Sequence, residues 1–214
     1  MRYKELTFEG RNAVIEAFRS GKTIDKLFIL DGCQDGPIKS IVREAKKTST
    51  IINYVDKERL DRLANTGHHQ GVVAIGAAYE YAEVEDILEA ARSKGEAPFI
   101  FVLDEIEDPH NLGAIIRTAN LAGAHGVIIP KRRAVGLTAT VAKTSAGAIN
   151  YTPVAKVTNI ANTIEALKKE GLWFVCADMG GETMYNLDLK GPIGLVIGNE
   201  GNGVSRLVKE KCDF

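Results

Sequence analysis

Residues 99–103 read Phe-Ile-Phe-Val-Leu, a continuous run of apolar side chains between Pro98 and Asp104. An uninterrupted apolar run of this length is typical of a strand that is buried on both faces of a parallel sheet. Similar runs recur later in the chain, at 126–129, 172–177 and 193–197. Helical patterns separate them, at 112–122, 138–146 and 159–170. This alternation predicts an α/β fold with a doubly wound parallel sheet.

The residues before this region carry shorter patterns. An amphipathic stretch at 12–18, followed by Ser20 and Gly21, predicts a helix. Further patterns predict strands at 27–30, 51–55 and 72–77 and helices at 38–47 and 57–64. We therefore expect three segments: a small α/β domain at 1–78, a linker that becomes a helix at 79–97, and a second domain at 98–214.

The bulk composition is that of an ordinary globular protein, with 45% hydrophobic and 26% charged residues. The formal net charge is only −1, so any binding of nucleic acid has to be local rather than due to a positive field over the whole molecule. The three cysteines, Cys33, Cys176 and Cys212, form no CxxC pair, which argues against a disulfide framework or a zinc site. The chain has no apolar run long enough to span a bilayer, and we expect a cytoplasmic protein.

In parallel sheets, ligands bind beyond the carboxyl ends of the strands, so the loops after the apolar runs are the places to look for chemistry. The loop after 99–103 leads into a helix that contains Asn111, Gly113 and Arg117. Asn111 can cap this helix, Gly113 permits a close backbone approach, and Arg117 can meet a phosphate. The alternative, equally open from the residues alone, is that Asn111 is only a helix cap and Arg117 only a surface cation.

The second loop, at 198–203, reads GNEGNG and lies between the last apolar run and a predicted helix at 204–210. Three glycines between a strand and a helix indicate positive φ angles or a backbone that passes close to another group, such as a bound nucleoside. A simple tight turn is the alternative. The glycine order differs from the GxGxxG order of dinucleotide-binding loops, which argues against a nicotinamide oxidoreductase.

These loops together resemble the first two signature motifs of the SpoU-type RNA 2′-O-ribose methyltransferases, members of the SPOUT class, whose hallmark is a trefoil knot. The first motif is carried by DPHNLG at 108–113 with RTA at 117–119, and the second by GNEGNG. The string KTSAGA at 143–148 is similar to the helix that the family has between them. GRNAV at 10–14 and HQG at 69–71 are similar to the family's L30e-like substrate-binding domain.

The resemblance implies an S-adenosylmethionine-dependent methylation of a ribose 2′-hydroxyl in structured RNA, carried out by a homodimer without a metal. The N-terminal domain is most similar to the branch that acts on 23S rRNA, which favours a guanosine of that RNA over tRNA. The family's third motif would follow Phe214, so we expect the catalytic domain of this chain to lack the knot segment. A non-catalytic RNA-binding protein and a tRNA methyltransferase are the alternatives.

The resemblance also implies roles for particular residues. In the catalytic centre, Arg117 activates the hydroxyl, Asn111 orients the site and Glu200 holds the arginine or the loop. Whether Arg117 is a base or an electrostatic clamp stays open, since free arginine is effectively always protonated. The residues expected to bind the cofactor are Asp178, Met179, Gly180, Ile197, Gly198 and Gly203. The residues expected to contact RNA are Arg11, Asn12, His69, Gln70, Lys131, Arg132 and Arg133.

Overall fold

The structure of the chain is a computed structural model, and it describes residues 6–214. Residues 1–5, with which the predicted first domain begins, lie outside the described part. The chain divides into two compact units. The first unit runs to Glu80 and includes Leu137–Ala139, and the second consists of Tyr81–Gly136 and Thr140–Phe214.

The first unit is built on a mixed four-stranded sheet with the strand order β1-β4-β2-β3. Strands β2 and β3 are parallel, whereas β4 runs antiparallel to both β1 and β2. Its core is formed by apolar side chains of the sheet and of the first two helices, among them Val14, Leu27 and Ile41. The elements are β1 (Leu6–Glu9), α1 (Arg11–Arg19), β2 (Ile24–Leu30), α2 (Gly36–Lys47), β3 (Ile51–Val55), α3 (Lys57–Leu63) and β4 (Val72–Gly76).

The second unit is built on a five-stranded sheet in which all strand pairs are parallel. Its elements are α4 (Val84–Lys94), β5 (Phe99–Leu103), α5 (Pro109–Leu121), β6 (Gly126–Pro130), α6 (Ala139–Thr144), β7 (Val154–Val157), α7 (Ile160–Lys169), β8 (Trp173–Ala177), β9 (Ile193–Ile197) and α8 (Arg206–Lys209). Short 3₁₀ helices lie at Ala148–Asn150 and Met184–Asn186. The prediction of an α/β fold with a parallel sheet in the second half is confirmed.

The strand order of the second sheet, β7-β6-β5-β9-β8, determines where a ligand can bind. The chain runs outward from β5 through β6 to β7, crosses to the opposite edge to form β8, and returns inward as β9. Strands β5 and β9 are therefore neighbours at the point where the winding direction changes. In open α/β sheets the ligand site lies outside the carboxyl ends of the strands at such a point.

The final helix differs from the prediction of 204–210, because α8 spans only Arg206–Lys209. Two strands, β1 and β7, were not predicted from the sequence. Within residues 6–214, no helix is long and apolar enough to cross a membrane.

Candidate active site

The start of α5 lies directly beyond β5, and a carboxylate initiates it. The Asp108 side chain accepts a hydrogen bond from the His110 backbone N–H at 2.7 Å, and Pro109 occupies the first helical turn, where the absence of an N–H costs nothing. The prediction that Asn111 caps this helix is therefore wrong, because Asp108 fills that position. Asn111 lies inside the first turn of α5, and its side chain is free to contact a neighbouring loop.

That neighbouring loop is the glycine loop, residues 198–203, which follows β9. The side-chain amide of Asn111 donates a hydrogen bond to the Glu200 carboxylate, with 3.3 Å between Nδ2 and Oε2. Two groups predicted to share the catalytic centre thus meet across the gap between the loops after β5 and β9. The contact lies at the switch point of the sheet, where a ligand site is expected.

Asn199 holds the glycine loop in shape, and this role was not predicted from the sequence. Its backbone and that of Gly203 exchange two hydrogen bonds, of 3.0 and 2.8 Å. Its side-chain oxygen accepts from the backbone N–H groups of Gly201 and Asn202, at 2.9 and 3.1 Å. Its side-chain nitrogen donates to the Glu105 carbonyl at 3.0 Å, which fastens the glycine loop to the loop after β5. These hydrogen bonds within the protein therefore fix the conformation of the loop.

Two glycines of this loop are required by its geometry. A Cβ atom at Gly198 would collide with the backbone of Gly203 and Val204, so only glycine fits there. Gly203 has a φ of +69°, and a Cβ atom built on it would lie 4.0 Å from a carboxylate oxygen of Asp178. A side chain at position 203 would therefore project into the space between the loops after β8 and β9. We refer to this space, between Asp178 and the glycine loop, as the glycine-lined gap.

On the other side of that gap, Asp178 follows β8 and forms an ion pair with Lys209. The hydrogen bond from Lys209, together with one from the Met179 backbone N–H at 2.8 Å, holds the pKa of the Asp178 carboxyl below its usual range. The same pair raises the pKa of Lys209. Beyond Asp178 the loop is open to solvent, because Met179 is 95% exposed and Gly180 is also exposed. Lys209, which was not predicted from the sequence as a site residue, thus links α8 to the expected cofactor loop.

Two acidic residues after β5 connect further segments to this edge of the sheet. The carboxylate of the buried Asp104 accepts a hydrogen bond from the Ser205 backbone N–H at 2.7 Å, immediately before α8. The Glu105 carboxylate pairs with Arg133 at 2.8 Å, and this raises the pKa of the guanidinium. Together with the Glu105 carbonyl bond described above, these contacts join the loops after β5, β6 and β9.

Of the three basic residues after β6, Arg133 is thus held by an acidic partner. Arg132 is exposed and Lys131 is half-buried. Neither side chain has a hydrogen bond or an ion pair to any residue in 6–214. They are therefore available to an anionic ligand. Residues 6–214 contain no group of three or more side chains arranged to hold a metal ion.

Arg117 lies on α5 and forms no hydrogen bond or ion pair with the glycine loop. Its side chain is exposed and has no hydrogen bond or ion pair to residues 6–214. Arg117 follows Asn111 by six residues, which places it about 9 Å along the helix axis and about 120° around it. Within one chain the structure therefore joins Asn111 to Glu200 and leaves Arg117 pointing to another side of α5.

The close approach predicted at Gly113 is made to the protein itself. A Cβ atom at this position would collide with the Thr144 side chain at the end of α6. The Thr144 hydroxyl lies 3.3 Å from the Pro109 carbonyl and can donate to it. Gly113 therefore allows Thr144 and Ser145 to pack against the start of α5.

In the first unit, Arg11 and Gln70 form one cluster. The Arg11 guanidinium pairs with Asp35 at 2.5 Å and donates to the Gln70 carbonyl at 3.2 Å. The Gln70 side chain in turn accepts from the Arg11 backbone N–H at 3.1 Å. Asn12, next to this cluster, is exposed. The structure thus brings Arg11, Asn12 and Gln70 to one surface.

His69 is placed differently from its neighbours, since it is only 6% exposed. Its Nδ1 accepts a hydrogen bond from the Gly71 backbone N–H at 3.0 Å, so the proton of a neutral ring lies on Nε2. Nε2 lies 2.9 Å from the Asp61 carboxylate and donates to it. Both ring nitrogens are therefore engaged inside the unit, and His69 supports the turn that presents Gln70.

Comparison with known proteins relates both units to one family. Residues 98–214 match the SpoU rRNA Methylase family, and residues 8–82 match the RNA 2′-O ribose methyltransferase substrate binding family. The protein YacO of Bacillus subtilis, assigned to the TrmH family of tRNA/rRNA methyltransferases, is 53% identical over 206 residues, which cover 96% of this chain and 82% of that relative. A Staphylococcus saprophyticus protein assigned to the same family is 48% identical over 212 residues, with 99% and 85% covered.

Solved structures share the fold. The SpoU methyltransferase AviRb of Streptomyces viridochromogenes, in complex with the cofactor AdoMet, aligns with a TM-score of 0.56 and 23% identity over 98% of this chain and 79% of that one. An rRNA methyltransferase of Sinorhizobium meliloti aligns with a TM-score of 0.54 and 23% identity over 98% and 77%. From the matches that cover both units, the chain belongs to the SpoU/TrmH family of RNA 2′-O-ribose methyltransferases.

Proposed function

We propose that this chain transfers the methyl group of S-adenosylmethionine to the ribose 2′-hydroxyl of a guanosine in 23S rRNA. The observation that carries the proposal is the contact between Asn111 and Glu200, since it unites the two family motifs at the switch point of a parallel sheet. Family membership supports the reaction, and the resemblance of the N-terminal unit to the branch acting on 23S rRNA supports the substrate.

We assign the cofactor to the glycine-lined gap between the loops after β8 and β9. Backbone groups of Ile197, Gly198 and Gly203 would hold it on one side, and the segment from Asp178 to Gly180 on the other. A bound S-adenosylmethionine supplies a methyl group on a positively charged sulfur, so its leaving group is already activated. The AdoMet complex of AviRb, which has the same fold, supports this choice of cofactor.

The protein must bring the hydroxyl into line with the methyl group and stabilise the oxygen as it becomes nucleophilic. We assign that task to Arg117 as an electrostatic clamp on an RNA phosphate and on the developing alkoxide, because a guanidinium does not give up its proton readily. Its exposed side chain, without a protein partner in the described part, suits this role. Asn111 and Glu200 act as positioning residues that keep α5 and the glycine loop in register.

Because Arg117 and Asn111 face different sides of α5, the proposal includes a homodimer in which RNA contacts Arg117 of one chain and the glycine loop of the other. Size-exclusion chromatography with light scattering tests the dimer directly. We assign the first domain, 1–78, to RNA presentation through Arg11, Asn12 and Gln70, residues 79–97 to a connecting segment, and 98–214 to catalysis aided by Lys131 and Arg132. A cytoplasmic location stays a prediction from the sequence.

The test is mass mapping of 2′-O-methylated nucleosides in 23S rRNA and in tRNA from cells that lack the protein. We expect one methylated guanosine to disappear from 23S rRNA and to return when the wild-type gene, but not the Arg117→Ala variant, is restored. Loss of a methyl group from tRNA instead would assign the second candidate substrate, which the tRNA/rRNA name of the Bacillus subtilis relative favours. Unchanged methylation in both RNAs, with no binding of S-adenosylmethionine at equilibrium, would leave a non-catalytic RNA-binding protein.

A further inference from the structure

One side of helix α2 carries a concentration of positive charge that none of the assigned roles uses. Lys39, Arg43, Lys46 and Lys47 are all exposed. The other three follow Lys39 by four, seven and eight residues, which places all four on one side of the helix. Together with Val42 they line a single surface depression. We refer to these four cations as the α2 basic surface.

The charge of the α2 basic surface is only partly balanced by acidic neighbours. Glu44 pairs with Lys47 at 2.9 Å and lies 3.9 Å from Arg43. The hydrogen bond from Lys47 lowers the pKa of the Glu44 carboxyl, so this group is ionised at neutral pH. The side chains of Lys39 and Lys46 have no hydrogen bond or ion pair to any residue in 6–214. The surface therefore keeps a net positive charge on a chain whose total charge is −1.

An exposed aromatic side chain adjoins this surface. Tyr54 lies on β3, at the edge of the first sheet, and is 56% exposed. It shares a sheet face with Ile52, which packs on the core beneath α1 and α2. A second depression is lined by Tyr54 together with Lys39 and Val42, which also line the first depression. The aromatic ring and the four cations are therefore parts of one continuous surface.

We propose that the α2 basic surface binds the sugar-phosphate backbone of structured RNA, while Tyr54 stacks on an unpaired base. A row of cations beside an exposed aromatic ring is the combination that suits RNA, because phosphates need positive charge and an unstacked base needs a flat apolar partner. An acidic protein partner would use the cations but would not need the ring. This inference rests on the proposed function only in its choice of RNA as partner.

The experiment measures binding of transcribed 23S rRNA to the full chain by filter retention at salt concentrations from about 50 to 200 mM. Over this range, the affinity that phosphate contacts provide falls steeply. The test variant is Lys39→Glu with Lys46→Glu. Its matched control, Lys94→Glu with Lys169→Glu, makes the same charge change at exposed positions of α4 and α7. We expect the test variant to bind at least about tenfold more weakly and its salt slope to fall by about 1 to 2, since each lost phosphate contact removes about 0.9. The control should stay within about twofold of wild type.

The aromatic part of the proposal is tested with Tyr54→Ala and Tyr54→Phe. Stacking needs the ring but not the hydroxyl, so Tyr54→Phe should bind like wild type and Tyr54→Ala about tenfold more weakly, with an unchanged salt slope. Circular dichroism of each variant checks that the first unit is folded. Equal RNA affinity of the Lys39/Lys46 variant and its control would overturn the inference, and equal affinity of the two Tyr54 variants would remove the stacking contact.

These outcomes are separable from those of the proposed function. If wild-type protein binds 23S rRNA through this surface but no methyl group is lost from cells lacking the protein, the surface stands and the enzymatic proposal fails. If methylation of 23S rRNA is confirmed and the charge reversals leave RNA affinity unchanged, the enzymatic proposal stands and the surface is wrong.

Discussion

The carboxylate of Glu200 accepts a hydrogen bond from the side-chain amide of Asn111 at 3.3 Å, and this contact joins the two motifs through residues that lie 89 positions apart in the chain. If the contact holds α5 and the glycine loop in register, removing either partner should cause the same loss of methyl transfer. We expect Asn111→Ala and Glu200→Ala to reduce methyl transfer by similar factors. The double variant should be no worse than either single variant, with a coupling energy of about 0.5 to 3 kcal/mol.

Glu200→Gln serves as the control for this pair, since its side-chain oxygen can still accept the hydrogen bond. Single-turnover methyl transfer to RNA gives the rates for the four-member cycle. Fully additive losses in the double variant would show that the two residues act independently and that the contact does not position the site.

Arg117 should be needed for the reaction and dispensable for folding. Its side chain is exposed and has no partner among residues 6–214, so its removal should change the free energy of unfolding by no more than about 0.5 kcal/mol. We expect Arg117→Ala to abolish methyl transfer, while S-adenosylmethionine still binds. Arg117→Lys keeps the positive charge but loses the planar guanidinium, which can donate two parallel hydrogen bonds. We therefore expect intermediate activity for this variant. A radiolabelled methyl assay decides the matter, and undiminished turnover by Arg117→Ala would remove this residue from the mechanism.

Gly198 and Gly201 lie in the same loop but differ in the space around them. A Cβ atom at Gly198 would strike the backbone of Gly203 and Val204, whereas one at Gly201 would lie 3.5 Å from the Asn199 side chain, an ordinary contact. Gly198→Ala should therefore open the loop and weaken cofactor binding by at least about tenfold, while Gly201→Ala should leave it nearly unchanged. Isothermal titration with S-adenosylmethionine measures both affinities. Equal affinities would mean that the closed loop does not shape the cofactor site.

The continuous apolar runs predicted β5 and β9 with the bounds that the structure shows, because strands buried on both faces need no polar alternation. Strand β1, at Leu6–Glu9, has only four residues of mixed polarity, and β7, at Val154–Val157, contains a lysine. Neither segment has a strong pattern of its own. Each becomes a strand because an established neighbour, β4 or β6, offers it a free edge for pairing.

In the candidate site, too, local sequence motifs were informative, whereas contacts between distant segments could not be predicted. The motifs predicted that Asn111 and Glu200 belong to one centre, but the choice of helix cap was wrong because Asp108 competes for the same position three residues earlier. The ion pair between Asp178 and Lys209 could not be predicted, since it depends on how the loop after β8 and helix α8 come together in the folded chain. The side of α5 that Arg117 faces likewise could not be predicted, because it depends on where the helix begins.

The thiol of Cys212 gives a prediction about pH that does not depend on the RNA. Burial, with a smaller contribution from the neighbouring Cys176, raises the pKa of Cys212 to about 12. At pH 8.5 an ordinary thiol is about half ionised, so the thiolate fraction of Cys212 should be about 1000-fold lower. Because alkylation needs the thiolate, iodoacetamide should modify Cys212 at least about 100-fold more slowly in the folded chain than in guanidinium chloride.

Mass spectrometry of the Cys212 peptide after timed alkylation measures this protection. The rate in the folded chain should keep rising with pH above 9, where that of an ordinary thiol levels off, because a raised pKa moves ionisation to higher pH. In Cys176→Ser, Cys212 should stay protected, since burial is the larger cause and its Sγ still lies 3.4 Å from the Val208 carbonyl. Rapid alkylation of Cys212 in the native chain at pH 8.5 would contradict the packing of the segment after α8 against β8.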